Sequence, residues 1–406
     1  MNQNDRREIQ KPAVTRRDFF KTAAVSAGAM AVAGLAVKVE AAEAAGPAAA
    51  PAAAAGAPAA AAPGGKTLPE VMKAAREKLY PKCRVCPECD GQACSGEVPG
   101  MGGIGTGKAF RNNLEALASY GLAMKTFHDV KKPDTSITLF GEKLSMPILS
   151  AITGGVTYNM GLKGKVTEEE YMEGVIGGCI AAGTLGFAAD GIEDPVTTYA
   201  TRLAVIKKFG GKGLAQVKPR AQVDIIERMH MVEASGAKAI FIDIDSAGRA
   251  ARCKPPQIVE PKTPAQLREL VKATKLPFVI KGVMTPEEAQ LAVDVGAAGI
   301  VVSNHGGRVL DHTPGTAKVL PAIAKAVKGR TLVFADGGVR YGSDVLKLLA
   351  LGANAVLVGR PVLRGSVGGG AEGVKLVLEK MRSELVDAMV LTGTASVKKV
   401  SRSILA

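Results

Sequence analysis

The stretch SNHGGRVLDHTPGTAKVLPAIAKAVKGRTLVFADGGVRYGSDVLKLLALGANAVLVGRPVLR, from Ser303 to Arg364, decides the fold. A His and an Arg three residues apart follow an apolar run, Gly299–Val302. A second run, Thr331–Ala335, ends in Asp-Gly-Gly, and a third, Ala355–Val358, ends in Gly-Arg-Pro. Short β-type runs alternating with segments of helical period predict βα units around a parallel sheet. Polar and glycine clusters at the C-terminal ends of such strands are where a (β/α)8 TIM barrel carries its chemistry, with phosphate held after strands seven and eight. Extending the pattern outward gives barrel strands near 146–151, 184–189, 213–217, 238–244, 277–281, 298–303, 331–336 and 354–359. Helices are predicted over Glu168–Ala182, Ala221–Ser235, Pro264–Ala273, Pro286–Val295, Ser343–Leu351 and Gly373–Val390. The span from Met146 to Val390 matches the usual length of the fold, about 250 residues.

Three pieces taken together, S-N-H-G-G-R-x-L-D (303–311), D-G-G-V-R (336–340) and G-R-P (359–361), closely resemble the FMN-dependent α-hydroxy acid oxidase/dehydrogenase family. The resemblance runs from about Leu144 to the C-terminus and fades upstream. It implies one FMN, and oxidation of a small L-2-hydroxy acid, lactate- or glycolate-like, to the 2-oxo acid. A homo-oligomer and an electron acceptor such as a cytochrome or a quinone-linked carrier are also expected.

The chain has 406 residues, 47% of them hydrophobic, and a net charge of +14. The first 45 residues hold seven Lys/Arg against five Asp/Glu, so most of the positive charge belongs to the remainder. With aromatics at 4% and none interleaved with the basic residues, a nucleic-acid partner is not expected; an acidic redox partner or an anionic membrane face suits the charge better.

Upstream, Thr15-Arg16-Arg17-Asp18-Phe19-Phe20-Lys21 resembles a twin-arginine export signal. An apolar segment, Thr22–Val37, and small-residue cleavage points near Ala41 and Ala44 follow it. Residues 1–43 are therefore expected to be a signal peptide, giving a periplasmic or other extracytoplasmic protein. Residues 44–65, nearly all Ala, Pro and Gly, read as a tether. Residues 66–143 form a Cys-rich and Gly-rich extension, and 144–406 the FMN barrel. Within the extension, Thr67–Tyr80 has helix-start chemistry, with Pro69 in the first turn and Glu70 three residues after Thr67.

Next come Cys83, Cys86, Cys89 and Cys94, in the pattern C-x2-C-x2-C-x4-C. The spacing is near the bacterial iron–sulfur run, with one extra residue in the last gap and no Pro after it. A zinc tetrathiolate and a pair of disulfides are the alternatives. Cys179 reads as a buried apolar residue and Cys253 as a loop thiol. Gly100-x-Gly102-x-x-Gly105 and Gly102-x4-Gly107-Lys108 imitate nucleotide loops. The first lacks a preceding strand, and the second has Ala109 where Ser or Thr would hold magnesium. A mobile glycine loop over the barrel mouth is the better reading, with Arg111-Asn112-Asn113 opening a helix.

Oxidising an α-hydroxy acid requires a base, cations for the carboxylate and an electron sink. His305 is the candidate base and Arg308 a cation able to fork onto the carboxylate. Matched to the family, Arg252 is the second carboxylate-binding Arg, with Arg249 as fallback, and Asp245 orients the base. Lys281 compensates charge at the N1/O2 side of the flavin. Ile152, Thr153, Gly154, Gln216, Asp243 and Ser303 take flavin-ring positions. Asp336, Gly337, Gly338, Val339, Arg340, Gly359 and Arg360 hold the ribityl chain and phosphate.

The family's two active-site tyrosines have no counterpart. Lys218 stands at one position and is expected to bind substrate carboxylate instead, and Asp243 replaces a flavin-facing Thr. Two other readings compete. Ala151–Gly155 resembles a loop of type 2 isopentenyl diphosphate isomerase, a family without S-N-H-G-G-R. A non-catalytic flavin-binding module would explain the missing tyrosines but not the joint presence of His305, Arg308 and Lys281.

Overall fold

The hairpin β1 (Ile137–Leu139) and β2 (Glu142–Leu144) precedes eight strands. These are β3 (Ile148–Ser150), β4 (Phe187–Ala189), β5 (Leu214–Val217), β6 (Ile240–Asp243), β7 (Phe278–Val283), β8 (Gly299–Val302), β9 (Leu332–Ala335) and β10 (Ala355–Val358). The computed structural model describes residues 65–192, 195–252 and 258–406, with backbone alone at 250–252. The twin-arginine segment, nearly all of the tether, Cys253 and the Arg252 side chain lie outside the described residues.

Strands β3 to β10 form one parallel sheet in the order β3-β10-β9-β8-β7-β6-β5-β4. The seam closes where Ser150 N donates to Leu185 O (3.3 Å) and Phe187 N donates to Ser150 Oγ (3.0 Å). The expected (β/α)8 barrel is what forms, and seven strands fall inside their predicted spans. The eighth, β7, continues past Lys281 to Val283 across a shift in register.

Alternation along each strand fills the barrel in layers. Leu149, Phe187, Leu214, Phe241, Val279, Val301, Phe334 and Leu357 form one inner cluster. Within it Phe187 and Phe241 meet edge to face at 4.6 Å between centroids. The hairpin was not predicted, because three-residue strands carry too little alternation to read. At its turn, Phe140 stacks on Phe334 at 6.2 Å, and Glu142 pairs with Lys238, just before β6, at 3.0 Å. The hairpin therefore plugs the N-terminal end of the barrel, leaving the C-terminal end for chemistry.

The described residues, from 65 onward, belong to one compact unit, so the extension is part of the barrel body. Its first helix, Leu68–Leu79, starts where Thr67 N and Oγ1 both donate to Glu70 Oε2, at 2.8 and 2.7 Å. Val71, Ala75 and Leu79 are fully buried, against the long C-terminal helix. That helix runs from Arg360 to Leu391 with a break at Gly370, and so begins well before the predicted Gly373. The second extension helix, Lys108–Ala118, starts three residues before the predicted Arg111.

Candidate active site

Counting two residues on from each inner-layer residue gives the next inward position of every strand. From Leu214 it gives Gln216, from Phe241 Asp243, from Val279 Lys281, from Val301 Ser303, and from Phe334 Asp336. Apolar residues fill the middle of the barrel, and these polar ones form its top. All five are buried.

His305 follows β8 in a turn of left-handed residues: His305, Gly306 and Gly307 have φ of 57°, 63° and 75°. A non-glycine residue held at positive φ costs free energy, and such strain collects at functional sites. Asn304 pins the turn, accepting from Gly307 N (3.1 Å) and from Asn113 Nδ2 (2.8 Å). A Cβ on Gly307 would lie 2.3 Å from Phe110 N, so this glycine is required by the extension helix passing over it.

His305 Nδ1 is 3.0 Å from Asp245 Oδ1. With the Nδ1 proton donated there, Nε2 is left as the acceptor that takes a substrate proton. Lys281 Nζ lies 3.7 Å from Asp245 Oδ2 and 3.4 Å from His305 Nδ1. Burial favours the uncharged Asp245, but Lys281 and His305 outweigh it and hold the carboxyl below its ordinary range. Burial and the neighbouring Lys281 push His305 down, partly offset by Asp245, so the imidazole is kept neutral. Burial alone would lower Lys281; Asp245, Asp336 and Asp243 raise it.

Asp243, Asp245 and His305 bring three ligand atoms within 4.8 Å of one another. Two ammonium groups already compensate these carboxylates, which favours a proton-handling site over a metal site.

A cavity of about 400 Å³ opens beside His305, within the size range of cofactor pockets. Of the predicted residues, Ile152, Thr153, Gly154, Lys218, Lys281, His305, Arg308, Asp336, Gly337, Gly338, Val339, Arg340, Gly359 and Arg360 line it. Gln216, Asp243 and Ser303 do not; each is fully buried and engaged elsewhere. Gln216 Nε2 donates to Asp243, and Ser303 Oγ to Asp336 Oδ2 at 2.9 Å. Asp245 also stands outside the lining, against the imidazole.

Lys218 is present but neutralised, with Nζ 2.7 Å from Asp243 Oδ2 and 3.1 Å from Ser246 Oγ. The expected carboxylate cation is thus half of a buried ion pair. Arg249, the fallback, lines the cavity with Arg308, and burial together with Arg249 lowers the Arg308 guanidinium to about 10. An anion entering between them would relieve that repulsion.

Tyr158, Asn159, Asp190 and Ser246 also line the cavity and were missed in the sequence. Position after β3, β4 and β6 was the only available signal. Tyr158 brings an aromatic hydroxyl to the cavity wall.

The extension covers the mouth. Arg308 Nη1 donates to Gly100 O and to Gly102 O (3.1 Å), and Arg360 Nε to Met101 O (2.9 Å). Arg340 Nη2 donates to Cys89 O (3.1 Å), and Arg360 stacks over Phe110 at 3.8 Å from its centroid. Asp311 accepts from Thr106 N (2.6 Å) and Ala109 N (3.0 Å). The glycine loop does lie over the barrel, as expected, and it is fastened there by many bonds.

The chain matches the model of the family described as FMN-dependent dehydrogenase over residues 100–257 and 255–406. The chain belongs to this family. It is 34% identical over 307 residues to glycolate oxidase 3 of Arabidopsis thaliana, covering 68% of this chain and 81% of the relative. To 2-hydroxyacid oxidase 2 of Mus musculus it is 31% identical over 326 residues, covering 73% and 89%. A match to 2-hydroxyacid oxidase of Dictyostelium discoideum reaches 52% over 139 residues, covering 34% of this chain; in that alignment the chain spans only about a third (36%) of the relative's length. A crystal structure of mandelate oxidase superposes with a TM-score of 0.66 at 29% identity, covering 84% of this chain and 97% of that one.

The residues present fit FMN. Asp336 Oδ1 and Arg340 Nε are buried without a partner, one suited to ribityl hydroxyls and the other to phosphate. Burial holds the Asp336 carboxyl up, against Lys281 and Ser303. Gly337 and Gly338, with φ of 97° and 81°, present their backbone at the cavity. Their other side presses on the extension, where a Cβ on Gly338 would meet Asn113 O at 2.8 Å. Arg360, expected at the phosphate, is committed largely to Met101, Gly306 and Phe110.

Proposed function

We propose that the protein is an exported FMN-dependent dehydrogenase that oxidises a small L-2-hydroxy acid, lactate- or glycolate-like, to its 2-oxo acid. The observation that carries the reading is the His305–Asp245–Lys281 constellation beside two cavity-facing arginines. Arg249 and Arg308 bind the substrate carboxylate, with Arg252 as a further candidate on the same loop. This presents the hydroxyl to His305 Nε2, which takes its proton while Asp245 holds Nδ1–H and stabilises the imidazolium. FMN, when bound, would supply the acceptor for the two electrons, which leave the α-carbon together with its hydrogen as hydride. Lys281 gives that acceptor a buried positive charge, and Asp336, Gly337, Gly338 and Arg340 hold its polar chain. The loop from Pro99 to Gly107 keeps water from the reacting carbon.

Export rests on Thr15–Lys21, and electrons pass to a cytochrome or quinone-linked carrier outside the cytoplasm. The four-cysteine loop takes part as a metal-holding element, iron–sulfur or zinc, beside the phosphate end of the cavity. A homo-oligomer fits the family.

The test is to purify the protein without oxygen and add L-lactate, glycolate and L-mandelate in turn. Bleaching of the flavin absorbance by one of them is the expected outcome. A flavin that none of them bleaches would leave a binding module, and a colourless protein would end the reading.

A further inference from the structure

Four cysteines stand within twelve residues, and the chemistry of the barrel uses none of them. Cys83, Cys86, Cys89 and Cys94 line one recess, and all four thiols are free. The disulfide alternative therefore does not form in this structure. The donors around the sulfurs are cationic or backbone N–H groups. Arg364 Nη2 donates to Cys83 Sγ (3.5 Å) and to Cys89 Sγ (3.2 Å). Arg340 Nη2 reaches Cys89 Sγ at 3.3 Å, and Val85 N reaches Cys83 Sγ at 3.4 Å. Arg364 is itself buried, and its Nε has no partner. A neutral thiol is a weak acceptor and gives little reason to bury a guanidinium. A metal-bound thiolate does, and N–H···S bonds of this kind tune iron–sulfur centres.

The resting thiols are not gathered as a zinc site would gather them. Tetrahedral zinc, with bonds of about 2.3 Å, draws its sulfurs to within about 4 Å of one another. Among the described residues, no three of the thiols come within 4.8 Å of one another. In a four-iron cluster each thiolate takes its own iron, so the sulfurs stand farther apart than around a single zinc. The first three thiols keep the C-x2-C-x2-C spacing of a bacterial cluster loop, and Cys94, lining the same recess, supplies the fourth ligand.

We infer that Cys83, Cys86, Cys89 and Cys94 ligate a four-iron, four-sulfide cluster, with Arg340 and Arg364 donating to its ligand sulfurs. Each thiol gives up its proton as its iron–sulfur bond forms. The recess measures about 10 Å³, so the half-buried Cys86 and Cys94 must turn outward on loading. Arg340 touches both sites, lining the cofactor cavity and bonding Cys89, which puts the cluster at the phosphate end of FMN. That placement rests on the FMN reading; the cluster itself does not.

The test is composition and spectroscopy. The full chain, purified without oxygen and reconstituted with ferric iron, sulfide and a thiol reductant, is assayed for iron, acid-labile sulfide and zinc. About four irons and four sulfides per chain are expected, with broad visible absorbance beyond flavin and a paramagnetic signal after dithionite reduction. Cys86→Ser and Cys94→Ser should each lose most of the iron, while Cys179→Ala, in the barrel wall, keeps it. One zinc per chain, a metal-free protein with four titratable or disulfide-bonded thiols, or full iron in both serine variants would overturn the inference. Flavin bleaching by hydroxy acids is read in the same sample, so failure of the substrate reading leaves the iron and sulfide counts unaffected.

Discussion

The top layer of the barrel and the extension lying over it reach the same cavity by opposite routes. Lys281 and Asp336 arrive there on strands, each two residues beyond an apolar side chain that fixes its direction. The extension between Pro81 and Gly107 has no strand or α-helix, and arginines and Asp311 of the barrel hold it. Rigid elements position reacting groups to fractions of an ångström, while a loop held by side-chain bonds controls access. Chemistry is therefore expected to reside at the strand ends and in the turns directly beyond them, and entry and cofactor retention in the extension.

The sharpest break of that division is His305→Gln. It should lower kcat/KM for the accepted hydroxy acid by about 10³-fold while FMN content stays unchanged; loss of FMN instead would show that the turn holds cofactor. Next, Lys281→Met should slow flavin reduction about 10²-fold in stopped flow and make the flavin harder to reduce. Asp245→Asn sharpens the comparison through pH. His305 must be neutral to act, so kcat/KM should fall on the acid side, with a midpoint below the ordinary imidazole range. Asp245 raises that midpoint, so the amide should move it to lower pH and also reduce the plateau. The smallest effect belongs to Asp311→Ala, which unfastens Thr106 and Ala109. Proteolysis should speed up at the glycine loop and KM should rise several-fold, with kcat changed little. A kcat loss as large as that of Lys281→Met would erase the distinction between the two regions.

Most of the barrel was legible because buried parallel strands are short apolar runs and the helices between them keep a clear period. Lys281 was legible because a polar side chain ending an apolar strand faces the mouth, and His305 because S-N-H-G-G-R directly follows such a strand. Tyr158, Asp190 and Ser246 were not, since nothing local separates a cavity residue from any other loop residue. Lys218 shows the same limit. Its position promised a substrate cation, but whether an ammonium is available depends on Asp243, twenty-five positions away.

By itself the sequence determined the barrel and the FMN-dependent family, because periodicity and motif spacing are local properties of the chain. Only the tertiary structure decided what the arginines do. Arg308, Arg340 and Arg360 looked like substrate and phosphate cations, yet each also bonds the extension. A guanidinium carries five N–H donors, and which acceptors they find is set by chain brought from more than two hundred residues away. The same folding made S-N-H-G-G-R the seat of the extension, where a Cβ on Gly307 would collide with the Phe110 backbone.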